Sequence, residues 1–361
     1  MKHYLFLVII CITLSASLVA QNIVTINYDY EKLSKITSSA DVGNLFPLST
    51  EKSLINIGYT KLGILNNKSG EIIHFFDESQ LAKKLDNIIA NNYQGNYLRF
   101  SDDDFKTLPL CQRQPYIYQR FYKIESTNLY ACEIRCIIRN DFAINGMAII
   151  TCIGFFTPDL DLVELYERDE YEGALLMSGK GGFFIGKNDF YIKKAIPSPN
   201  ETPDFIHFQL KNGRFCLIEA LENMKAASKE IYFPGRFLSM INMKNQYYIN
   251  SGTQLIQTKE LGQVGTAINI NLKEDEVVAI LKKINDNLML GLRVVLDEEG
   301  AASMATLFQC DVTFNKKNDI KKYDQLLFGI NSIEIKDNKV YIFIFDEIQK
   351  KYLLEIRTIT S

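Results

Sequence analysis

The sequence predicts an α+β chain that is predominantly β: an irregular antiparallel strand meander with a C-terminal helix-hairpin-helix-hairpin unit, and a β-propeller as the alternative. Three observations lead there. Apolar and polar residues alternate around asparagine-containing turns in GFFIGKNDFYIKK, FIHFQLKNGRFCLIEAL, SMINMKNQYYINS and SIEIKDNKVYIFIF. The pattern switches to helical spacing in only a few places, chiefly 78–92 and after Glu274. Apolar residues make up 47% of 361, enough for sizeable cores. The turn residues Asn188, Asn212, Asn245 and Asn338 recur at unequal intervals, which favours the open meander over a propeller's regular repeat.

The first residues predict export. Lys2 precedes the apolar run Tyr4 to Leu14, and Ser15, Ala16, Ser17 and Ala20 supply small residues before a break. This is the pattern of a secretory signal peptide, with cleavage near Ala20 and Gln21 as the new first residue. The run is short for a membrane anchor. Val8-Ile9-Ile10 before Cys11 lacks the small residues of a lipoprotein site. The expected location is therefore the periplasm or the exterior, with no transmembrane span after cleavage. A net charge of −3, falling to −4 without Lys2, gives no basic field for nucleic acid.

The expected division is 1–20 signal peptide, 21–127 N-terminal α+β segment, 128–265 β-rich meander and 266–361 C-terminal α/β unit. In the first segment Leu54 to Tyr59, Gly63 to Asn66 and Glu71 to Phe76 read as strands, with Asn67-Lys68-Ser69-Gly70 as a turn. Leu81, Leu85, Ile88 and Ile89 form one helical face over 78–92, with Lys83, Lys84 and Asp86 opposite. Ser101 followed by three aspartates reads as a second helix start. Leu129 to Arg139, Met147 to Phe156, Ala174 to Met177 and Gly182 to Gly186 then read as strands. Pro197, Pro199 and Pro203 mark an exposed loop.

In the last quarter, Glu274, Asp275 and Glu276 precede Val277, Ile280, Leu281, Ile284 and Leu288 at helical spacing, and Gly291 reads as the exit. Leu290 to Leu296 and Met304 to Val312 form a hairpin. Asn318 or Asp319 caps a second helix with Ile320, Tyr323 and Leu327 on its apolar face and Gly329 at its end. A hairpin over Ser332 to Lys336 and Val340 to Phe345 follows, then a strand from Tyr352 to Ile359. With the VVLDEEGAASMATLF hairpin, this topology resembles the carboxy-terminal domain of TonB-like energy transducers over about residues 270–345. Those transducers carry a membrane anchor and a proline-rich spacer. This sequence has no such spacer, so the resemblance implies a fold and not energy transduction.

The reactive residues are few. Without His3, only His74 and His207 remain, both in strand-like settings, EIIHFF and FIHFQL. That is too few for a multi-histidine metal site, and no G-x-S-x-G elbow accompanies them. Gly181 to Asn188 nearly matches a P-loop but ends in Asn where Ser or Thr should hold magnesium, and Gly179-Lys180-Gly181 completes no dinucleotide fingerprint. Asp141, Asn145 and Gly146 mimic part of a calcium loop, but Ala143 and Cys152 occupy ligand positions. Asp159-Leu160-Asp161 is too short to signify. Glu164, Glu167, Asp169, Glu170 and Glu172 crowd around Arg168, which reads as a solvated acidic loop or as the carboxylates of a glycosidase.

Six cysteines follow Ala20: Cys111, Cys132, Cys136, Cys152, Cys216 and Cys310. An oxidising compartment permits disulfides, yet each sits in an apolar, strand-like context. Cys132 and Cys136 would lie about 13 Å apart on one strand, too far to pair. Nothing has zinc-ligand spacing. The tyrosine-rich NQYYIN hairpin offers a stacking surface or a core. The expected function is an exported, non-catalytic binding or interaction protein of a bacterial envelope, with a protein or glycan partner and without catalytic, cofactor or metal residues. The alternative is a secreted hydrolase using paired carboxylates.

Overall fold

The computed structural model describes residues 22–28, 44–57, 61–93, 95, 97–99, 115–125, 127–140, 142–143, 146–170, 182–193, 205–221, 239–250, 252–261, 263–297, 302–314, 317–324, 330–346 and 348–359. The expected leader, Ser101 to Asp104, Cys111, Ala174 to Met177 and the Pro197–Pro203 stretch lie outside them, as do Asp141, Asn145 and Glu172.

Among the described residues the chain is predominantly β and is built from antiparallel meanders. The first comprises β2 (Leu45–Pro47), β3 (Lys52–Ile57), β4 (Lys61–Asn66) and β5 (Ile72–Phe75). Helix α1 (Glu78–Asn92) follows, then β6 (Tyr97–Arg99). The second meander is β7 (Tyr116–Lys123), β8 (Tyr130–Asn140), β9 (Met147–Phe156) and β10 (Leu162–Arg168), with β6 pairing the far end of β8. The third is β11 (Gly182–Ile185), β12 (Asp189–Lys193), β13 (Phe205–Lys211) and β14 (Arg214–Leu221). A short parallel pairing of β10 with β14 joins the second and third into one sheet.

The fourth meander is β15 (Ser239–Met243), β16 (Gln246–Asn250), β17 (Gln254–Thr258) and β18 (Thr266–Asn269). The fifth is β19 (Glu276–Asn285), β20 (Leu288–Leu296), β21 (Ala302–Asp311) and β22 (Lys317–Asp324). In the sixth, β23 (Ile330–Lys336), β24 (Lys339–Asp346) and β25 (Lys351–Thr358) are completed by β1 (Asn22–Ile26), which pairs antiparallel with β25.

The hairpin turns are as the sequence predicts. Asn212-Gly213, Lys244-Asn245 and Asp337-Asn338 all take positive φ, the twist-matched geometry that Asn, Asp and Gly tolerate. Helix α1 begins where Asp77 accepts the backbone N–H of Ser79 at 3.0 Å, and it buries Leu81, Leu85 and Ile89 as the periodicity requires.

The two C-terminal helices are not present. Residues 276–285 form strand β19, and 317–324 form strand β22. The cause is burial on both faces. Val277 and Ala279 enter the core shared with the sixth meander, whereas Val278 and Leu281 enter the core shared with the fourth. A strand buried on both sides loses its alternation, and bulges at Val278/Ile280 and Lys283/Asn285 shift its phase into apparent helical spacing. Gly291 is no helix exit. It lies inside β20 opposite Phe308, whose ring occupies the space a Cβ would need. The described residues of 276–324 form a four-stranded meander.

Neighbouring meanders share cores. The first and second bury Leu54 and Leu62 with Ile134 and Phe156 under α1. The second and third bury Phe155 against Phe184, Phe190 and Phe215. The fourth and fifth meet at Met243, Leu281 and Phe308. The fifth and sixth meet at Leu292, Leu307 and Ile342, and the sixth meets the first at Phe343, Leu354 and Ile55. First strands touch in sequence too: β7 with β11, β15 with β19, β19 with β23, and β23 with β2. Asparagine and serine side chains fasten these junctions. Asn44 bonds both the N–H and the carbonyl of Phe121, Ser332 accepts the N–H of Leu45, and Asn250 donates to the carbonyl of Val278.

Candidate functional site

The acidic stretch around Arg168 is strand β10, not a solvated loop. Glu167 and Arg168 are buried, and only Glu170 of its described carboxylates is fully exposed. Charges supplied by other strands make that possible. Glu167 accepts hydrogen bonds from Asn92 at 2.7 Å and from Tyr93 at 2.5 Å, both at the end of α1, and pairs with Arg214 of β14 at 3.1 Å. Asp169 pairs with Arg214 at 2.7 Å and accepts the N–H of Leu217. Glu164 meets Lys187 at 2.5 Å. Burial, then the Glu167 hydrogen bond, hold the Tyr93 hydroxyl well above the ordinary phenol range. These carboxylates fasten the second meander to the third and to the helix. Among the described carboxylates of this stretch, Glu164, Glu167 and Asp169 each have a cationic partner.

The face of the β8–β9 hairpin that meets the third meander carries buried polar groups among apolar ones. Cross-strand pairing puts Glu133 and Arg135 on one face with Thr151, and continues it through Ile137–Ile149 and Arg139–Met147 to Leu98 of β6. Glu133 and Thr151 are buried there beside Ile153 and Phe155, as is Arg168. Arg168 lies 3.6 Å from Glu133, and its guanidinium stacks 4.6 Å above the Phe208 ring. The outer end is open, with large apolar side chains beside the exposed Arg139. Leu98 is 53% exposed, Ile149 49%, and Phe142 in the connecting turn 78%. The opposite face of the same hairpin, with Ile134, Ile138 and Ile150, packs conventionally into the core. Length lets this hairpin project, since β8 has 11 residues and β9 has 10.

The remaining sequence candidates have structural roles. His207 sits on β13 with Nε2 2.8 Å from Asp189 Oδ1, and its ring stacks on Tyr191 at 4.3 Å. Tyr191 stacks in turn on Phe183 at 5.0 Å. His74 is exposed on β5. The P-loop-like stretch is the β11–β12 hairpin. Within NQYYIN, Tyr248 is core and Tyr247 half-buried. Cys132, Cys136, Cys152, Cys216 and Cys310 are free thiols, and among the described residues no group of three or more His, Cys, Asp or Glu could hold a metal.

A pocket of about 180 Å³ lies between the fifth and sixth meanders, walled by Gln309, Asp319, Ile320, Val340 and Arg357 among others. It presents a single carboxylate, Asp319, which pairs with Arg293 at 3.3 Å. A glycosidase needs two carboxylates.

This surface escaped sequence reading because β9 is apolar on both faces and β6 is only three residues long. The pairing of β6, β8 and β9 puts Leu98 and Ile149 on one face. The one available signal was the length of the apolar run from Met147 to Phe156.

No protein-family model matches the chain, and no curated protein matches it in sequence. Among solved structures it is similar to the computationally designed Ika8 protein, at 10% identity and a TM-score of 0.38, over 94% of this chain and 100% of that one. It is similar to BamB from Moraxella catarrhalis, at 9% identity and 0.35, over 88% and 83%. A candidate exo-beta-1,3-galactanase from Bifidobacterium bifidum s17 aligns at 11% identity and 0.31, over 58% and 72%. Likeness at this level assigns no function to the chain.

Proposed function

We propose that the protein is an exported, non-catalytic binding protein of a bacterial envelope, and that it docks a partner protein on the outer half of the β8–β9 hairpin. The observation that carries this reading is the exposure of Leu98 and Ile149 on one face of the sheet and of Phe142 in the turn between β8 and β9, with Arg139 and Met147 between the first two. Exposed large apolar side chains grouped on one projecting element favour a protein surface, and aromatic, Met and Arg residues are the types enriched at interfaces. The leader-like start from Lys2 to Ala20 supports export.

The scaffold behind this surface is a closed ring of six blades, the propeller arrangement. Support comes from the pairing of β1 with β25 and from the five shared cores. Burial first, then Asp189 and then Tyr247 of the fourth blade, raise the Tyr191 hydroxyl above the ordinary phenol range. Such a ring holds its hairpins rigidly, which lowers the entropic cost of docking. The alternative, hydrolysis by paired carboxylates, gains nothing from Glu167 and Asp169, which both serve Arg214.

The test is co-purification from envelope fractions with the wild type and with a Leu98→Lys, Ile149→Lys double variant. Both positions are exposed, so the variant should fold as the wild type does. A specific protein retained by the wild type and lost with the variant is expected. Equal retention by both would refute the assignment of this surface.

A further inference from the structure

The buried end of the same face carries a second, separate site. We propose that Glu133, Thr151 and Arg168 enclose an ordered water molecule that bridges strands β8, β9 and β10 of the second meander, beneath Phe208 of the third. The Glu133 and Arg168 side chains are 0% exposed, yet Oε1 and Nη2 stand 3.6 Å apart. That is beyond hydrogen-bonding distance for an N–H donor. Both carboxylate oxygens of Glu133, the Thr151 hydroxyl, and Nε and Nη2 of Arg168 are buried without a hydrogen-bond partner among the described residues.

The rest of the arginine is committed. Nη1 donates to the carbonyl of Asp169 at 2.7 Å, and Phe208 covers the guanidinium face. Position brings the three groups together. Thr151 pairs with Arg135, two residues from Glu133 on the same face of β8, and Arg168 follows the Glu167–Cys152 pair on the neighbouring strand.

Charge decides what the site takes. A metal cation would meet the guanidinium, and an anion would meet the carboxylate, each at close range in a poorly screened interior. An apolar guest would leave every orphaned atom unsatisfied, at a cost for each. Water alone among common solvent species is neutral, donates two hydrogen bonds and accepts others, and buried waters typically make about three. Here it would accept from Arg168 and donate to Glu133, with the Thr151 hydroxyl free to serve either role. A water-bridged ion pair also has directional demands that an apolar contact lacks, so it fixes how the three strands present this face to Phe208.

A crystal structure resolving ordered solvent tests this. The expected result is a solvent peak about 2.6–3.2 Å from a Glu133 oxygen and an Arg168 nitrogen. A direct Glu133–Arg168 hydrogen bond with no solvent peak would overturn the proposal, as would an ion in the site. A Glu133→Leu, Arg168→Met double variant provides a second reading. It removes both charges and the need for water, so it should melt at or above the wild-type temperature, whereas Arg168→Met alone should melt clearly lower. In solution, a long-lived water giving a nuclear Overhauser effect to Thr151 is expected in the wild type and absent from the double variant. The same signal in both would contradict the assignment. None of these readouts depends on the docking surface.

Discussion

Val24 lies directly opposite Leu354 in one antiparallel ladder, although Val24 belongs to the first described strand and Leu354 to the last. Leu354 is fully buried in the core shared by the first and sixth meanders, beside Phe343 and Ile55. The ends of the chain therefore stabilise each other. Leu354→Ala should cost about 2–5 kcal/mol, the range for truncating a fully buried leucine. Ile23→Ala, at the exposed neighbouring position, should change stability by less than about 0.5 kcal/mol. Denaturant unfolding of the two variants checks this. Similar losses would mean that the ladder is not a closing element.

Asn44 acts as a surrogate strand. Its amide donates to the carbonyl of Phe121 at 3.0 Å and accepts that residue's N–H at 3.1 Å, at a bulge in β7. Asn44→Ala would orphan two buried backbone groups, at about 1–3 kcal/mol each. Asn44→Asp should recover little, because a carboxylate cannot donate. Comparing the unfolding midpoints of both variants with the wild type tests the stitch.

Burial governs the tyrosines. It lifts the Tyr191 hydroxyl to about 12, with Asp189, Tyr247 and Glu219 adding to the effect. Burial likewise raises Tyr118, Tyr130 and Tyr341. The unfolded chain releases these protons near pH 10, at the ordinary phenol value, while the folded chain keeps them. Above that pH the folded state binds more protons than the unfolded state, so stability falls as pH rises. The contribution of Tyr191 is complete below about pH 10 and is lost between roughly pH 10 and 12. Unfolding midpoints should therefore drop between about pH 10 and 12, and Tyr191→Phe should drop less.

The thiols offer a kinetic readout. Burial holds Cys132 well above the ordinary thiol range, and the contact with Cys136, followed by burial, does the same for Cys152. Thiolate is the reactive form. Half-buried Cys216 should react first with a thiol reagent in the folded protein. Cys132 and Cys152 should react only after unfolding, as followed by mass spectrometry of labelled peptides. Labelling of Cys152 at the rate of Cys216 would contradict the packing.

The hairpins were legible because their information is local. Asn212-Gly213 and Asp337-Asn338 declare a turn by residue type, and the strand over Met147 to Phe156 is bounded as the sequence indicates. Helix α1 was legible for the same reason, since its stripe and its cap lie in one short stretch. Strand β19 was not, because its two faces enter two cores and the alternation vanishes. The burial of Glu167 and Arg168 depends on Arg214, Tyr93 and Phe208, which approach only in the folded chain. Sequence distance hides such partners, and charge alone argues for solvent.

The proposed docking surface can be tested by placing a photo-crosslinking amino acid at Phe142 in bacterial cells that express the protein and identifying adducts by mass spectrometry. The account predicts one dominant adduct with an envelope protein, and its loss when Leu98→Lys and Ile149→Lys are added. Adducts with cytoplasmic proteins only, or an adduct that survives both lysines, would contradict it.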